Sequence, residues 1–301
     1  MQCLAVRAAK KAFPTGNPNF SVSQAFPAAF TAEESDPFLM CDEIGPRISP
    51  GRMDDPDEFP VGWHGHVGMD ICTYVRCGTG RHADSLGNRE EYPSPGLQWI
   101  TVGNGIEHAE GGGTPAGDKH HAFQIWLNTP AQNKKQPPCY GTHGPEHIPV
   151  VQLGTGASGR LLAGSLSEAT GPFKTAQPVL MLDATLTGGS SCFLALPAEL
   201  TNCLVYVFSG HGHVCGSAVA NQHVARLDAD TQERQVRLEA GGDGMELLIF
   251  AGKPIREPLV WHGPFVCNTS AEVREAFALY QSGQFPPTRV PWDYKRAAAR
   301  P

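Results

Sequence analysis

The chain has 301 residues, with 23 Lys and Arg against 30 Asp and Glu, so its formal net charge is −7. At about 150 residues per domain, this length predicts two domains, each able to bury its own core, with one large domain as the alternative. The net negative charge, without a stripe of basic residues, argues against direct nucleic-acid binding. The sequence has no run of about 20 apolar residues, which argues against a membrane span. Its 9 irregularly spaced cysteines argue against a small secreted domain held by disulfides.

The amino terminus is basic but lacks the apolar core of a secretory signal. Arg7, Lys10 and Lys11 lie in a stretch that contains no acidic residue. A short mitochondrial-type presequence is therefore the alternative to an unprocessed cytoplasmic start.

From Phe38 onward, short apolar runs alternate with clusters of Gly, Pro, Asn and Asp. This pattern, in a chain with 34 Gly and 26 Pro, is typical of an all-β sandwich or barrel. The clearest predicted strands are residues 71–75, 97–102, 123–128, 179–186, 204–208 and 247–250.

Two histidine motifs lie on predicted strands and share one spacing. His64 and His66 are at i and i+2, so in an extended strand both rings point to one face about 7 Å apart along the backbone. His108 and Glu110 repeat this spacing. An isolated pair of this kind is usually a surface feature, but two such strands side by side would bring three nitrogens and one carboxylate to one ion. This donor set, with positions left for water or substrate, suits Fe(II), Mn, Co, Ni or Cu(II) better than a closed structural zinc site.

A segment poor in apolar residues divides the chain. Residues 128–149 are rich in Pro, Gly, Lys and Asn, and predict a linker. Residues 71–78 also resemble residues 203–210 in pattern, which indicates two copies of one β unit. We therefore expect a metal-binding domain over residues 1–150 and a metal-free domain over 151–301.

A second HxH pair, His211 and His213, does not match the first in position. The spacing of the repeat places the counterparts of the first pair at Leu196 and Ala198, which cannot bind a metal. His211 and His213 are therefore predicted to lie in a solvated hairpin turn.

The chain ends in a predicted helix. Residues 269–272 read as a capping box, and Val273, Phe277 and Tyr280 recur at helical spacing before Gly283. We expect this helix to pack on the C-terminal barrel.

Ordered motifs over most of the chain resemble the pirin family of bicupins. They are residues 36–39, 63–75, 84–89, 95–99, 105–110, 123–128, 252–258 and 261–269. The resemblance implies two tandem cupin (jelly-roll-type) β-barrels with a C-terminal α-helix. It also implies that His64, His66, His108 and Glu110 hold one metal, iron(II) first, with Mn, Co, Ni, Cu or Zn as alternatives.

The chain departs from the family around its HxH motif. Pirins usually carry a Pro between the two histidines, an Arg after them and a Glu four residues on, where this chain has Gly65, Val67 and Asp70. Losing the Arg removes a positive charge near the metal, which puts recognition of an anionic substrate or of a partner in doubt.

The resemblance implies two functions. One is an oxidoreductase of the quercetin 2,3-dioxygenase type, in which the histidines anchor the metal and Glu110, as ligand and general base, takes the hydroxyl proton of a flavonol-like substrate that reacts with O2. The other is a non-enzymatic, redox-sensing co-regulator of NF-kappaB-type transcription factors. A scaffold without metal is disfavoured because all four ligands are present. We expect a monomer that is mostly cytoplasmic with some nuclear entry, without membrane or direct nucleic-acid contact.

Overall fold

A computed structural model describes residues 1–13, 20–291 and 293–295. The described elements are β1 (Gln2–Ala8), β2 (Lys10–Ala12), β3 (Val22–Phe26), β4 (Phe38–Ile48), β5 (Val61–His66), β6 (Met69–Cys77), β7 (Thr79–Asp84), β8 (Arg89–Pro93), β9 (Gly96–Thr101), β10 (Ile106–Glu110), β11 (Lys119–Asn128), β12 (Cys139–His143), β13 (Val150–Gly154), β14 (Ala157–Ala163), β15 (Ser165–Leu166), β16 (Ala169–Thr170), β17 (Val179–Leu186), β18 (Ser191–Ala195), β19 (Asn202–Val214), β20 (Ser217–Val219), β21 (His223–Asp228), β22 (Gln235–Gly252), β23 (Val260–His262), β24 (Phe265–Cys267) and α1 (Ser270–Gln281), with short 3-10 helices at Pro56–Glu58, Ala131–Asn133 and Pro145–His147. The all-β prediction with one C-terminal helix is confirmed.

The first of two compact units consists of residues 1–11, 23–42 and 146–255. Its main sheet follows the order β1-β21-β19-β22-β17-β14-β13, with β18 on β22 and β20 on β19. Strand β18 shows the period of two that such a sheet requires, because Cys192 and Leu194 are buried while their neighbours are exposed. These side chains join an apolar core that includes Leu182, Val205 and Ile249.

The beginning of the chain belongs to this first unit, together with residues 146–255. The predicted division instead places two contiguous parts on either side of residue 150. Strand β1 pairs antiparallel with β21, and the Asn202 side chain donates hydrogen bonds to the backbone carbonyls of Glu34 and Asp36. Pairing satisfies the backbone groups of β1 along the edge of a sheet built from distant residues.

The second unit consists of the described residues of 12–22, 43–145 and 256–301. One of its sheets follows the order β5-β10-β7-β8, and β12, β9, β6 and β11 lie side by side in that order in another. Strand β12 lies inside residues 128–149, so the prediction that this whole segment is a linker is wrong in part. Residues Cys139 to His143 of β12 pair with β9. The flanking Pro, Gly and Lys residues are typical of a loop, so no sequence pattern indicated this strand.

Helix α1 begins with the predicted capping box. Thr269 accepts a hydrogen bond from the backbone of Glu272, whose side chain bonds back to the backbone of Thr269. The helix lies in the second unit, where Ala276 packs with Phe265 and Phe285, so the expectation that it packs on the C-terminal barrel is wrong. Among the described residues, no helix has the length and apolar character needed to cross a membrane.

Candidate metal centre

The two histidine motifs lie on adjacent strands. Strands β5 and β10 pair antiparallel, with His64 opposite His108 and His66 opposite Ile106. Directly opposed side chains share a face of the sheet. The predicted pairing of the HxH strand with the HxE strand is therefore confirmed.

The three histidines converge on one point. Candidate ligand atoms of His64, His66 and His108 all lie within 4.8 Å of one another. The Nε2 atoms of His64 and His108 are 3.1 Å apart, a separation that two nitrogens at about 2.0–2.1 Å from one ion can adopt.

Two of these rings have their other nitrogen bonded to the backbone. His64 Nδ1 lies 2.7 Å from the carbonyl oxygen of Gly62, and His66 Nδ1 lies 3.3 Å from that of Pro264. A carbonyl only accepts, so Nδ1 carries the proton in both rings and Nε2 offers its lone pair.

Burial keeps the three rings neutral. It lowers the pKa of His64, and it lowers the pKa of His66 and of His108 well below the usual range, with repulsion between neighbouring histidines adding to the effect. In the part of the chain that the structure describes, the buried Nε2 of His66 has no hydrogen-bond partner. Three neutral nitrogens, one of them otherwise unpartnered, fit a divalent metal ion.

Glu110 is not a member of the three-histidine cluster. It lies two residues after His108, beyond a bulge in the pairing with β5. Its carboxylate accepts hydrogen bonds from Thr73 Oγ1 at 3.1 Å and from Gln124 Nε2 at 2.5 Å. The side chain is therefore beside the cluster and held by other partners, and its role as a ligand stays a prediction.

Sequence reasoning missed Thr73 and Gln124. The two residues are directly opposite each other on β6 and β11. Each is a polar residue flanked by apolar ones in the middle of its strand, which is the signal that could have identified them.

A small cavity adjoins the carboxylate of Glu110. Its volume is about 40 Å³, and its walls include Phe20, Arg47, Tyr92 and His120. A cavity of this size holds a few water-sized molecules.

The absence of a side chain at Gly65 leaves space that the ring of Phe285 occupies. A methyl group at Gly65 would lie 2.5 Å from Phe285 Cε1 and 3.0 Å from Tyr280 Cε2. The ring of Phe285 therefore packs on the β5 backbone, between the two histidines, where pirins usually have a Pro.

Gly65→Ala is expected to destabilise the protein by about 1–3 kcal/mol through overpacking against Phe285. The same substitution in a Phe285→Leu background should cost less, because the clashing ring edge is gone. Urea denaturation of the two single variants and the double variant measures this coupling. An equal cost in both backgrounds would contradict the packing account.

Val67 packs as an apolar side chain instead of carrying the family's positive charge. It packs against the cluster of Phe265, Ala276 and Phe285. This position therefore contributes to the packing of α1.

Asp70, the third departure from the family, is buried on β6 and 3% exposed. Burial raises the pKa of Asp70 to about 7, although the nearby polar groups of Trp99 and Thr101 and the charge of Lys134 oppose the shift. Between the unfolded pKa of about 3.9 and the folded value, the folded state keeps a proton that the unfolded state has lost. The contribution of Asp70 to stability is therefore largest below pH 4 and falls as the pH rises towards 7.

Asp70→Asn should remove this pH dependence. We expect the stability of the variant relative to the unsubstituted protein to increase from pH 4 to pH 8, as measured by urea midpoints at both values. A difference in stability between the two proteins that is the same at both pH values would show that Asp70 is ionised in the folded state over this whole pH range.

The second HxH pair lies apart from the cluster. His211 and His213 are both exposed on β19, so the prediction of a hairpin turn is wrong, and the strand continues to Val214. Among the described residues, the only grouping of potential metal ligands is that of His64, His66 and His108.

Family models match both halves of the chain. The model described as "Pirin" matches residues 19–127, and that described as "Pirin C-terminal cupin domain" matches residues 181–286. The two matches confirm the predicted pair of cupin domains.

Similar proteins agree with these matches. A Vibrio cholerae protein named "Putative quercetin 2,3-dioxygenase" is 34% identical over 86% of this chain and 89% of its own length. A pirin-like protein of Caulobacter vibrioides is 32% identical over 84% of this chain and 89% of its own length. The crystal structure of quercetin 2,3-dioxygenase from Acinetobacter baumannii has a TM-score of 0.84 at 27% identity, and covers 95% of this chain and 98% of that one.

A bacterial pirin from Escherichia coli, solved in complex with nickel(II), shares the fold at a TM-score of 0.60 and 20% identity, over 83% of this chain and 99% of that one. The matched models together span most of the sequence, and the proteins from Vibrio cholerae and Caulobacter vibrioides exceed 30% identity over more than four-fifths of it. This chain belongs to the pirin family.

Proposed function

We propose that this protein is a metal-dependent oxidoreductase of the quercetin 2,3-dioxygenase type. The observation that carries the proposal is the cluster of His64, His66 and His108, three neutral and mostly buried imidazoles whose nitrogens converge beside an enclosed carboxylate. The names of the relatives from Vibrio cholerae and Acinetobacter baumannii supply the substrate class.

The histidines would hold the metal, and iron(II) is the ion that we propose first. Such an ion would supply Lewis-acid and one-electron chemistry to a chelating flavonol and to O2. The hydrogen bonds from Nδ1 of His64 and of His66 to backbone carbonyls fix both rings in the orientation that binding requires.

Glu110 would act on the proton of the substrate. Burial raises the pKa of Glu110, so its carboxylate is more basic than an exposed one. Hydrogen bonds from Thr73 and Gln124 hold it in place. From there it can take the hydroxyl proton of a flavonol, and it is also the fourth ligand that we propose.

The buried surroundings exclude bulk water. His66 and His108 are 1% and 0% exposed, and Glu110 is 8% exposed. Low polarity strengthens the interaction of each charged group with its partners. Opening of the wall that includes Phe20 and Arg47 would admit the substrate.

Quercetin consumption and O2 uptake test the proposal. The protein, stripped of metal and reloaded with iron(II), manganese, cobalt, nickel, copper or zinc, should consume one O2 per quercetin with at least one of these ions. Turnover that is absent with every ion, in protein shown to have bound it, would refute the enzymatic proposal. Redox-dependent binding of an NF-kappaB-type factor stays a prediction from the family resemblance.

A further inference from the structure

The three clustered histidines differ in what their second nitrogen contacts. His64 and His66 bond through Nδ1 to backbone carbonyls, whereas His108 Nδ1 is buried and has no hydrogen-bond partner among the described residues. A histidine that binds a metal through one nitrogen almost always donates the other N–H to an acceptor. His108 therefore needs an acceptor within reach of its Nδ1.

His82 lies beside His108 on the next strand. In the pairing of β7 with β10, Asp84 is opposite His108 and His82 is opposite Glu110, so all four side chains share one face of the sheet. The ring centroids of His82 and His108 are 5.5 Å apart. His82 is 1% exposed, and its Nδ1 is also buried without a partner.

Asp84 determines which nitrogen of His82 carries the proton. Its carboxylate accepts hydrogen bonds from the backbone N–H of Leu86 at 2.9 Å, from the backbone N–H of Asn88 at 3.0 Å and from Asn88 Nδ2 at 2.8 Å. A carboxylate that accepts from all of these donors also accepts from His82 Nε2, 2.9 Å away. Nε2 of His82 is therefore a donor, and in the neutral imidazole Nδ1 presents a lone pair.

The ring of His82 is held in this orientation from its face as well. It stacks on Tyr140, with ring centroids 4.3 Å apart and an interplanar angle of 13°. Its Nδ1 is therefore a fixed acceptor, not one that rotates to find a partner.

We propose that His82, held by Asp84, is a positioning residue that accepts the Nδ1–H of His108 through one bridging water. A direct bond between the two rings is absent, so a water is the group that can pair both nitrogens. The donor directions agree at each step, from His108 Nδ1 to water, from water to His82 Nδ1, and from His82 Nε2 to Asp84. This inference rests on the proposed metal at His64, His66 and His108.

Cobalt(II) affinity and the cobalt absorption spectrum test the role of His82 without any measurement of activity. His82→Phe keeps the ring shape but removes the acceptor, and should weaken cobalt binding about 10–100-fold and shift its absorption bands. His82→Asn places an amide near the position of Nδ1 and should recover most of the affinity.

His121 provides the matched control. It is buried and bonds through Nε2 to Glu43 at 2.8 Å, so it forms the same kind of histidine–carboxylate pair elsewhere in the second unit. His121→Phe should leave cobalt affinity unchanged. If it weakens cobalt binding as much as His82→Phe does, the effect is general destabilisation and the inference fails.

The remaining outcomes separate this inference from the proposed function. Unchanged affinity in His82→Phe overturns the role of His82 alone, whereas failure of the unsubstituted protein to bind cobalt overturns the metal site itself. Nitrogen NMR of the zinc-loaded, unsubstituted protein decides the matter if His82→Phe does not fold. It should show His82 protonated at Nε2 and His108 at Nδ1, and a His82 proton on Nδ1 would contradict the inference.

Discussion

His66→Leu is expected to abolish stoichiometric metal binding. The substitution keeps a buried side chain of similar size but removes the Nε2 atom that has no other partner. Loss of a residue that only supports a ligand usually weakens metal binding by about 10–100-fold. Removing a direct ligand should weaken it more. Elemental analysis of the purified variant, together with cobalt titration, measures the effect.

The second HxH pair supplies the control for this experiment. His211→Leu removes an exposed histidine from the same motif in the first unit, outside the cluster. Its metal content should equal that of the unsubstituted protein. Equal metal content in His66→Leu would show that the ion is bound elsewhere.

Glu110→Gln is expected to retain bound metal while quercetin turnover falls by about 10²–10⁴-fold, the usual contribution of a general base. The amide has the size of the carboxylate but cannot take a proton. Single-turnover assays of the iron-loaded variant, with metal content measured in the same sample, separate loss of the base from loss of the ion.

Thr73→Val is the matched control for Glu110. It removes one of the hydrogen bonds to the carboxylate but leaves the carboxylate in place. We expect a much smaller loss of turnover than in Glu110→Gln. Turnover at the full rate in iron-containing Glu110→Gln would exclude the role of Glu110 as the base. If the variant loses both the metal and its turnover, Glu110 is an indispensable ligand.

The centre of the site could be predicted because its geometry is local. The i and i+2 spacing of His64 and His66 determines that both rings share one face of any strand. Bringing His108 to the same point required only that the two strands pair, which β5 and β10 do, whereas Glu110 lies outside the three-histidine cluster. The capping box at Thr269 was predictable for the same reason.

The partners of these residues could not be predicted, because they depend on which distant strands meet. Thr73 reaches Glu110 from β6, and His82 reaches His108 only because β7 pairs with β10. The hydrogen bond from His66 to Pro264 joins residues far apart in the chain. Local periodicity carries no information about such contacts.

The division into units was hidden for a related reason. No pattern in Gln2–Ala8 indicates that β1 pairs with β21, and nothing in the helix sequence indicates that Ala276 packs with Phe265 and Phe285. Turn-forming residues can also flank a strand, as they do at β12. Composition therefore locates loops better than it locates domain boundaries.

The metal content of the protein purified without added metal is the decisive measurement. We expect close to one divalent ion per chain, iron foremost, which His66→Leu loses and His211→Leu retains. A protein that contains no metal, and takes up none from iron(II), cobalt or nickel under anaerobic conditions, would show that the three histidines do not form a metal site.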